Sequence, residues 1–431
     1  MRIFKYITRI LLYTVIFNSV IFSQWVALNT GTSQNLRSVY FTDLQTGFVC
    51  GEFGTIIKTT NSGTNWIALN SGTTYNLRSI QFINASTGLC CGYSPTNGFI
   101  IKTTNGGANW NPANSGNVSQ LTSIYFYNSS AAVCVGNSGT TLYSTDGGSN
   151  WLVGQPTGYL VTFYTAYMIS ASTGYCGGVN TIFSPLFAKT TNGGANWVYS
   201  SFMVNNNEAT LMDMHFFSEL SGIAVSVLWN GQGGISQTTN GGGNWTHQIV
   251  TYALYGIDFA GMLTGYIAGS NGSILKSTNG GASWNQQATG ISAFLRAIDF
   301  IDSLNGYAAG DGGVVLKTTN GGILGFSQIN NEIPKEYKLF QNYPNPFNPV
   351  TKIRFAISTP PQPSPKGRGQ DIVILKVYDI LGREIQILVN EQLSPGTYEA
   401  EFDGSNYPSG VYLYTLLTGD FKSTRKLILM K

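Results

Sequence analysis

The stretch Lys102-Thr-Thr-Asn-Gly-Gly-Ala-Asn-Trp110 recurs with small changes along the first three quarters of the chain. Related copies begin at Lys58, Tyr143, Lys189, Gln237, Lys276 and Lys317. The last copy, Lys317-Thr-Thr-Asn-Gly-Gly322, ends without the tryptophan. A period of ~40–45 residues is typical of one four-stranded blade of a β-propeller. Seven copies therefore predict seven blades.

The first repeat predicts the plan of a blade. Leu36–Phe41 alternates as an innermost strand, Gly47–Gly51 reads as a second strand and residues 54–60 as a third. The turn that follows leads to Trp66 on a fourth strand. Its Asn and Gly residues tolerate the positive φ angles that a tight hairpin requires.

The two ends of the repeat region predict how the ring closes. Trp25-Val-Ala-Leu28 is followed by Asn-Thr-Gly31, just as Trp66-Ile-Ala-Leu69 is followed by Asn-Ser-Gly72. The N-terminal segment should therefore supply the outer strand of the seventh blade, leaving no open edge. One tryptophan per blade then has a structural role: Trp25, Trp66, Trp110, Trp151, Trp197, Trp245 and Trp284.

These repeats resemble Asp-box (BNR-type) propeller repeats, most closely those of the photosystem II stability and assembly factor family. The resemblance covers residues 24–325, which we expect to form the propeller. The position that is usually Asp is Asn in six copies and Asp only at Asp146. Because Asn can also hydrogen-bond the turn backbone, we interpret this position as structural rather than catalytic.

The C-terminal part changes pattern. Short alternating segments at residues 352–357, 372–380, 384–389, 397–402, 410–417 and 422–430 predict an Ig-like β-sandwich. The fold class predicted for the whole chain is therefore all-β, a seven-bladed β-propeller followed by this sandwich. Residues 326–336 are expected to be a linker, and residues 359–371, rich in Pro, Lys, Arg and Gly, an exposed loop.

Residues 337–431 resemble the type A C-terminal sorting domain of the type IX secretion system. The matching segments are Asn342-Tyr-Pro-Asn-Pro-Phe-Asn-Pro349, Val377-Tyr-Asp-Ile-Leu-Gly382, Ser409-Gly-Val-Tyr-Leu413 and Arg425-Lys-Leu-Ile-Leu-Met-Lys431. The resemblance implies that the type IX machinery is a partner and that the propeller is delivered to the cell surface or secreted.

The N-terminus carries the features of an export signal. Arg2, Lys5 and Arg9 precede the short apolar run of residues 10–22, which predicts a signal peptide over residues 1–23. The run is shorter than the ~20 residues of a membrane span. We expect no transmembrane segment in the mature chain.

The composition restricts the possible partners and cofactors. Only 10% of residues are charged and the net charge is +3, which does not favour nucleic acid as a partner. The five cysteines read as small apolar residues between blades, with a Cys90–Cys134 bridge as the alternative. Cys50, Cys91 and Cys176 each precede a glycine and are assigned to one column. We expect no metal and no cofactor.

The chain offers few candidates for catalysis. Its two histidines, His215 and His247, lie in separate blades, and no nucleotide-binding or paired-Cys metal motif is present. A sialidase-like, glycan-cleaving hydrolase is the catalytic alternative, because Asp-box repeats occur in those propellers. Glycoside hydrolysis generally needs two acidic groups or a Tyr nucleophile. We expect a protein that is not an enzyme, with no catalytic residues assigned.

Three arginines recur at one blade position. Arg37, Arg78 and Arg296 each follow the Leu that opens an innermost strand, in blades that become contiguous when the ring closes. They predict a patch for an acidic partner; the alternative is ion pairing with Glu52 and Asp311. The loops over residues 92–98, 178–186 and 226–234 lie on the same face and carry Tyr93, Phe183 and Trp229. We predict Tyr93 and Trp229 as ligand contacts.

The sequence therefore favours an exported propeller that binds a protein or glycan without catalysis. The alternatives are the hydrolase above and an assembly factor for another exported protein. Fold alone does not decide among these functions.

Overall fold

The computed structural model describes residues 25–155, 161–180, 185–202, 204, 209–319, 321–322, 326–330, 332–358, 372–393, 395–404 and 407–431. Within these residues it contains seven four-stranded sheets arranged as blades and two further four-stranded sheets at the C-terminus. The predicted fold class is therefore confirmed. The expected signal peptide over residues 1–23 and the loop over residues 359–371 lie outside the described residues.

Neighbouring strands within each blade are antiparallel, and in blades one to six the sequence runs from the innermost strand outward. Blades one to three contain Leu36–Phe41, Gly47–Gly51, Ile56–Thr59 and Ile67–Leu69; Asn76–Phe82, Gly88–Tyr93, Gly98–Thr103 and Asn111–Pro112; and Leu121–Phe126, Ala132–Gly136, Thr141–Ser144 and Leu152–Val153. Blades four and five contain Val161–Met168, Gly174–Asn180, Pro185–Thr190 and Val198–Ser201; and Ala209–Phe216, Gly222–Leu228, Gly233–Thr238 and Thr246–Val250. Blade six contains Leu254–Ala260, Thr264–Gly269, Ile274–Ser277 and Asn285–Gln287. Short 3₁₀ turns occur at Ser270–Gly272 and Asp311–Gly313.

Blade seven closes the ring. It contains Leu295–Phe300, Gly306–Gly310 and Val315–Thr318, and its outer strand is the N-terminal Val26–Leu28. Trp25 is 1% exposed and packs edge-on against Phe300, with ring centroids 5.8 Å apart. A Cβ placed on Gly322 would lie 2.9 Å from Trp25 Nε1, so the tryptophan lies directly against the last hairpin. The predicted closure is confirmed.

The repeated hairpin is held by its own side chains. In blade two, Thr103 Oγ1 donates a hydrogen bond to Asn105 Oδ1 at 3.0 Å and accepts one from the N–H of Gly107 at 2.9 Å. Asn105 Oδ1 also accepts a hydrogen bond from the N–H of Asn109. Asp146 plays the same part in blade three. The Asn or Asp position therefore satisfies the turn backbone, in agreement with the structural interpretation of this position.

In several copies the first residue of the motif links its blade to the hairpin of the next blade. Lys58 Nζ donates to the carbonyl oxygen of Gly106 at 2.8 Å, and Lys102 Nζ donates to that of Gly147 at 2.7 Å. Lys317 closes the series by donating to the carbonyl oxygen of Ser62 in blade one at 2.9 Å. The repeat thus encodes contacts between blades as well as the turn within a blade.

The C-terminal unit is a sandwich of two antiparallel sheets. The first contains Phe326–Asn330, Gly396–Asp403, Val350–Ile357 and Lys338–Leu339, and the second contains Glu384–Gln392, Ile372–Tyr378, Gly410–Thr418 and Phe421–Leu429. The segment expected to be a linker, 326–336, includes the first of these strands. Leu304 of blade seven is 3% exposed and belongs to the same apolar cluster as the sandwich core.

The Asn-Tyr-Pro-Asn-Pro segment is tied to the sandwich by its asparagines. Asn342 is 2% exposed, and its backbone N–H donates a hydrogen bond to the Tyr414 hydroxyl at 2.8 Å. Its Nδ2 donates to Thr351 Oγ1 at 2.9 Å. Asn345 Oδ1 accepts a hydrogen bond from the N–H of Ile428 in the last strand. These bonds satisfy buried polar groups, which explains why asparagine occupies these positions.

Candidate binding surface at the channel mouth

The central channel opens on one face through a ring of seven residues, which we call the mouth ring. Each blade contributes one residue at the same place in its innermost strand: Arg37, Arg78, Thr122, Tyr164, Met212, Tyr255 and Arg296. In every blade this residue is the unpaired residue of a β-bulge. A bulge interrupts strict alternation and re-aims a side chain. As a result, all seven residues are half-buried rather than packed between blades.

Two of the predicted arginines are engaged in ion pairs. Arg37 is hydrogen-bonded to Glu52, and its Nη1 lies 3.2 Å from Asp311 Oδ1. Arg296 binds the same Asp311 carboxylate through Nε at 3.1 Å and Nη2 at 2.7 Å. Blades seven and one therefore share one carboxylate at the mouth. For Arg37 and Arg296, the structure therefore agrees with the alternative interpretation, ion pairing with Glu52 and Asp311.

Arg78 differs from the other two arginines. It forms no salt bridge with any residue that the structure describes, and its guanidinium carbon lies 5.4 Å from the centre of the Tyr93 ring. A guanidinium at this distance from an aromatic face is a cation–π contact.

Sequence reasoning missed several exposed aromatic residues in the same three blades as these arginines. Phe53, Tyr75 and Phe294 are 66%, 47% and 38% exposed. The guanidinium carbon of Arg296 lies 5.0 Å from the Phe294 ring and 4.4 Å from the Tyr255 ring. Tyr75 and Phe294 each come directly before the first residue of an innermost strand. Aligning the loops of the repeats could have revealed this shared position.

The other predicted contacts divide between two parts of the ring. Tyr93 is half-buried beside Arg78, so the structure brings these two residues together. Trp229 is 62% exposed in blade five, which blade six separates from the three arginine-bearing blades. Phe183 lies outside the described residues.

Below the mouth ring, side chains in the channel join each innermost strand to the next. At six of the seven junctions a side-chain oxygen accepts a backbone N–H of the following blade: Ser38 from Ile80, Gln81 from Phe126, Ser123 from Ala166, Asp213 from Ile257, Asp258 from Phe300 and Asp299 from Phe41. At the remaining junction, Thr165 Oγ1 donates to Asp213 Oδ1 at 2.9 Å. This belt of bonds lines a polar cavity of about 320 Å³.

The belt gives the channel aspartates a structural role. Where other blades place Ser, Thr or Asp one residue after the mouth ring, blades six and seven have Gly256 and Ala297. Neither can accept a hydrogen bond through its side chain, and the bond at these junctions comes instead from Asp258 and Asp299, two residues further along the strand.

Burial changes the acid–base properties of the channel groups. It raises the pKa of Asp213 and of Asp258 to about 6, with repulsion from Asp213 as a smaller cause at Asp258. It raises the pKa of Asp299 well above its ordinary value, and repulsion from Asp258 adds to this. Burial also lowers the pKa of His215 to about 4, so its ring, 3.8 Å from Asp258, is neutral at pH 7. One quarter of the Asp258 side chain is still accessible from within the channel.

Among the described residues, no group of three or more His, Cys, Asp or Glu side chains has the arrangement of a metal site. None of the described helical segments is long and apolar enough to cross a bilayer.

A seven-bladed propeller with a mouth ring of arginines and aromatics, followed by a β-sandwich, defines the class of protein. The family model for the photosynthesis system II assembly factor YCF48 matches residues 17–151 and 248–341, more than half of the chain. The chain belongs to this family. A second model, the secretion system C-terminal sorting domain, matches residues 341–430.

Solved structures agree with this fold. YCF48 bound to a D1 peptide is 19% identical, with a TM-score of 0.56 over 69% of this chain and 98% of that one. YCF48 from Cyanidioschyzon merolae is 17% identical, with a TM-score of 0.55 over 68% of this chain and 98% of that one. PorZ, a surface component of the type IX secretion system of Porphyromonas gingivalis, is 12% identical, with a TM-score of 0.58 over 90% of this chain and 58% of that one. At these identities the likeness shows the fold alone. No curated protein sequence matches this chain significantly.

The sorting domain has a direct consequence for location. A type IX sorting domain indicates secretion through the outer membrane, to the cell surface or beyond it. The predicted partnership with the secretion machinery follows from the same match.

Proposed function

We propose that the propeller is an exported binding module that holds a protein or glycan partner at the mouth ring without catalysis. The observation that carries this proposal is Arg78. It is a half-buried arginine at the channel mouth that contacts an aromatic ring and no described carboxylate. Its donors can therefore pair with an acidic group of a partner without first breaking an ion pair inside the protein.

The surroundings of Arg78 favour an acidic protein segment. Arg37 lies in the adjoining blade one and Arg296 in blade seven beyond it, and the exposed rings of Phe53, Tyr75 and Phe294 in these three blades offer apolar contact area. Arginine together with aromatic residues is the composition that concentrates binding energy at protein interfaces. The YCF48 structure with a D1 peptide is a precedent for peptide binding by a propeller of this fold.

The channel carboxylates support binding over hydrolysis. Asp213, Asp258 and Asp299 each accept a backbone N–H from the next blade through one carboxyl oxygen, so all three help to join neighbouring blades. Moving any of them toward a substrate would leave a buried N–H without a partner.

Arrays of acidic peptides and of glycans, probed with the purified protein, test the proposal. We expect binding to acidic peptides that weakens as salt increases, because exposed charge pairs are screened. Incubation with sialosides and aryl glycosides forms the second arm of the test. Turnover that disappears in the Asp258→Asn variant would contradict the proposal and support the hydrolase instead.

A further inference from the structure

The second strands of neighbouring blades meet through two fixed positions. In each blade, one residue of the second strand pairs with the first residue of the β-bulge, and we use it as the reference: Gly51, Gly92, Gly136, Gly178, Ser226, Gly269 and Gly310. The residue one place before the reference faces the following blade, and the residue two places before it faces the preceding blade. The apolar clusters show this rule at three junctions, pairing Val225 with Ile267, Ala268 with Ala308, and Ala309 with Val49.

The cysteines occupy these two positions at successive junctions. Cys50 and Cys90 belong to one buried cluster between blades one and two, and Cys91 and Cys134 belong to the next cluster, between blades two and three. Cys176 instead shares its cluster with Val135. The register places Cys176 two residues before Gly178, so it belongs with Cys90 and Cys134 and not, as the glycine spacing predicted, with Cys50 and Cys91.

The two thiols of each pair are close neighbours. The nearby Cys50 thiol adds to the rise that burial causes in the pKa of Cys90, and the Cys91 thiol does the same to the pKa of Cys134. All four side chains are fully buried. Cys90 and Cys91 are adjacent in the sequence but point to opposite sides of their strand, since successive side chains alternate. The alternative bridge between Cys90 and Cys134 is therefore not favoured, because the two cysteines belong to different clusters.

We propose that Cys50 with Cys90, and Cys91 with Cys134, form two disulfide bonds that tie blades one, two and three together, leaving Cys176 as a free thiol. The structure holds all five cysteines in the reduced form. Export through the cell envelope, which the sorting domain indicates, exposes the chain to an oxidising compartment.

Each bond forms by thiol–disulfide exchange. The two thiols of a pair lose two protons and two electrons, and the disulfide of a dithiol oxidase in the envelope accepts them and becomes a dithiol. The attacking group is a thiolate, and burial raises the pKa of the Cys90 and Cys134 thiols well above the usual range. Exchange therefore has to occur while the blades are still open, and the closed propeller then shields both bonds from reductants.

Counting thiols in the full chain tests the assignment. Protein directed to an oxidising periplasm and unfolded without reductant should show one reactive thiol, and the same protein after reduction should show five. Mass mapping of unreduced peptides should recover Cys50 joined to Cys90 and Cys91 joined to Cys134. A count of three or five before reduction, or a bridge between any other pair, would overturn the proposal.

Two variants provide matched controls for that count. Cys176→Ala should lower it from one to zero without affecting either bridge, because the cysteine it removes faces Val135. Cys50→Ala should raise it to two, since Cys90 then joins Cys176 as a free thiol, while the Cys91–Cys134 bridge persists. A count of zero or four in Cys50→Ala, or a recovered bridge that still contains Cys90, would contradict the pairing of Cys50 with Cys90.

Discussion

The two faces of the propeller come from the same seven blades but follow opposite sequence rules. On the hairpin face, six complete copies and one shortened copy of the motif repeat nearly the same residues, and the described copies make the same bonds within the turn. On the mouth face, the equivalent positions hold Arg, Thr, Tyr or Met according to the blade. Uniform positions therefore hold the ring together, whereas varied positions give one arc of it a distinct chemistry.

The largest expected effect on stability is at the hairpin face, where the motif residues are uniform. Trp25→Ala removes the buried tryptophan that completes blade seven, and it should lower the free energy of unfolding by ~3–5 kcal/mol. Chemical denaturation measures this loss. Trp229→Ala is the control, because Trp229 is 62% exposed on the mouth face and its truncation should cost less than ~1 kcal/mol. Equal losses in the two variants would show that the tryptophans of the two faces do not differ as described.

A smaller effect should separate two arginines of the mouth ring. Arg37→Ala leaves Glu52 without its arginine and weakens the contacts of Asp311, so we expect a loss of about 1–2 kcal/mol in unfolding free energy. Arg78→Ala breaks no described ion pair and should cost less than ~0.5 kcal/mol. Urea denaturation of both variants gives the comparison. A larger loss for Arg78→Ala than for Arg37→Ala would reverse the assignment of paired and available arginines.

The channel aspartates should make stability depend on pH. Because burial raises the pKa of Asp258 to about 6, the folded protein binds more protons there than the unfolded chain between about pH 4 and pH 6. This contribution to stability is present below that range and is lost as the pH rises through it. The lowered pKa of His215 acts in the opposite direction, so the parent protein alone does not isolate the effect.

The variant Asp258→Asn isolates it. The difference in unfolding free energy between the variant and the parent protein should grow by ~1–2 kcal/mol in favour of the variant as the pH rises from about 4 to about 8. The Asp258 carboxyl of the parent ionises over this range, whereas the amide of the variant has no charge to bury. Urea denaturation across this range provides the values. A difference between variant and parent that does not change with pH would mean that the Asp258 carboxyl titrates normally.

The hairpin face is also the part of the propeller that the sequence predicts well. The period, the Asn-Gly-Gly turn and the displaced Trp25 together predict the number of blades and the closure, because each reflects a local or repeated constraint. The strands Leu36–Phe41 and Gly47–Gly51 were predicted with their observed bounds. The role of Lys58 was not predicted, because its acceptor at Gly106 belongs to the next repeat and is visible only once blades are side by side.

The mouth-ring arginines were predicted, but the β-bulge that orients them was not. A shared column identified Arg37, Arg78 and Arg296, and the absence of an acid in the blade-two loop singled out Arg78. The β-bulge that turns all seven residues toward the mouth has no sequence signature of its own, because its position depends on the pairing with the second strand. The cysteine pairs were missed for a similar reason, since a shift of one residue between blades changes which neighbour a side chain faces.

The most direct test of the proposed binding surface is the affinity of Arg78→Ala for an acidic peptide found on the array. The account predicts binding at least ~10-fold weaker than that of the parent protein, with an unchanged unfolding midpoint. Arg354→Ala is the matched control, because it removes the same charge from an arginine that is 60% exposed in the sandwich, and it should bind like the parent. Equal affinities for Arg78→Ala and the parent would contradict the assignment of the mouth ring as the binding surface.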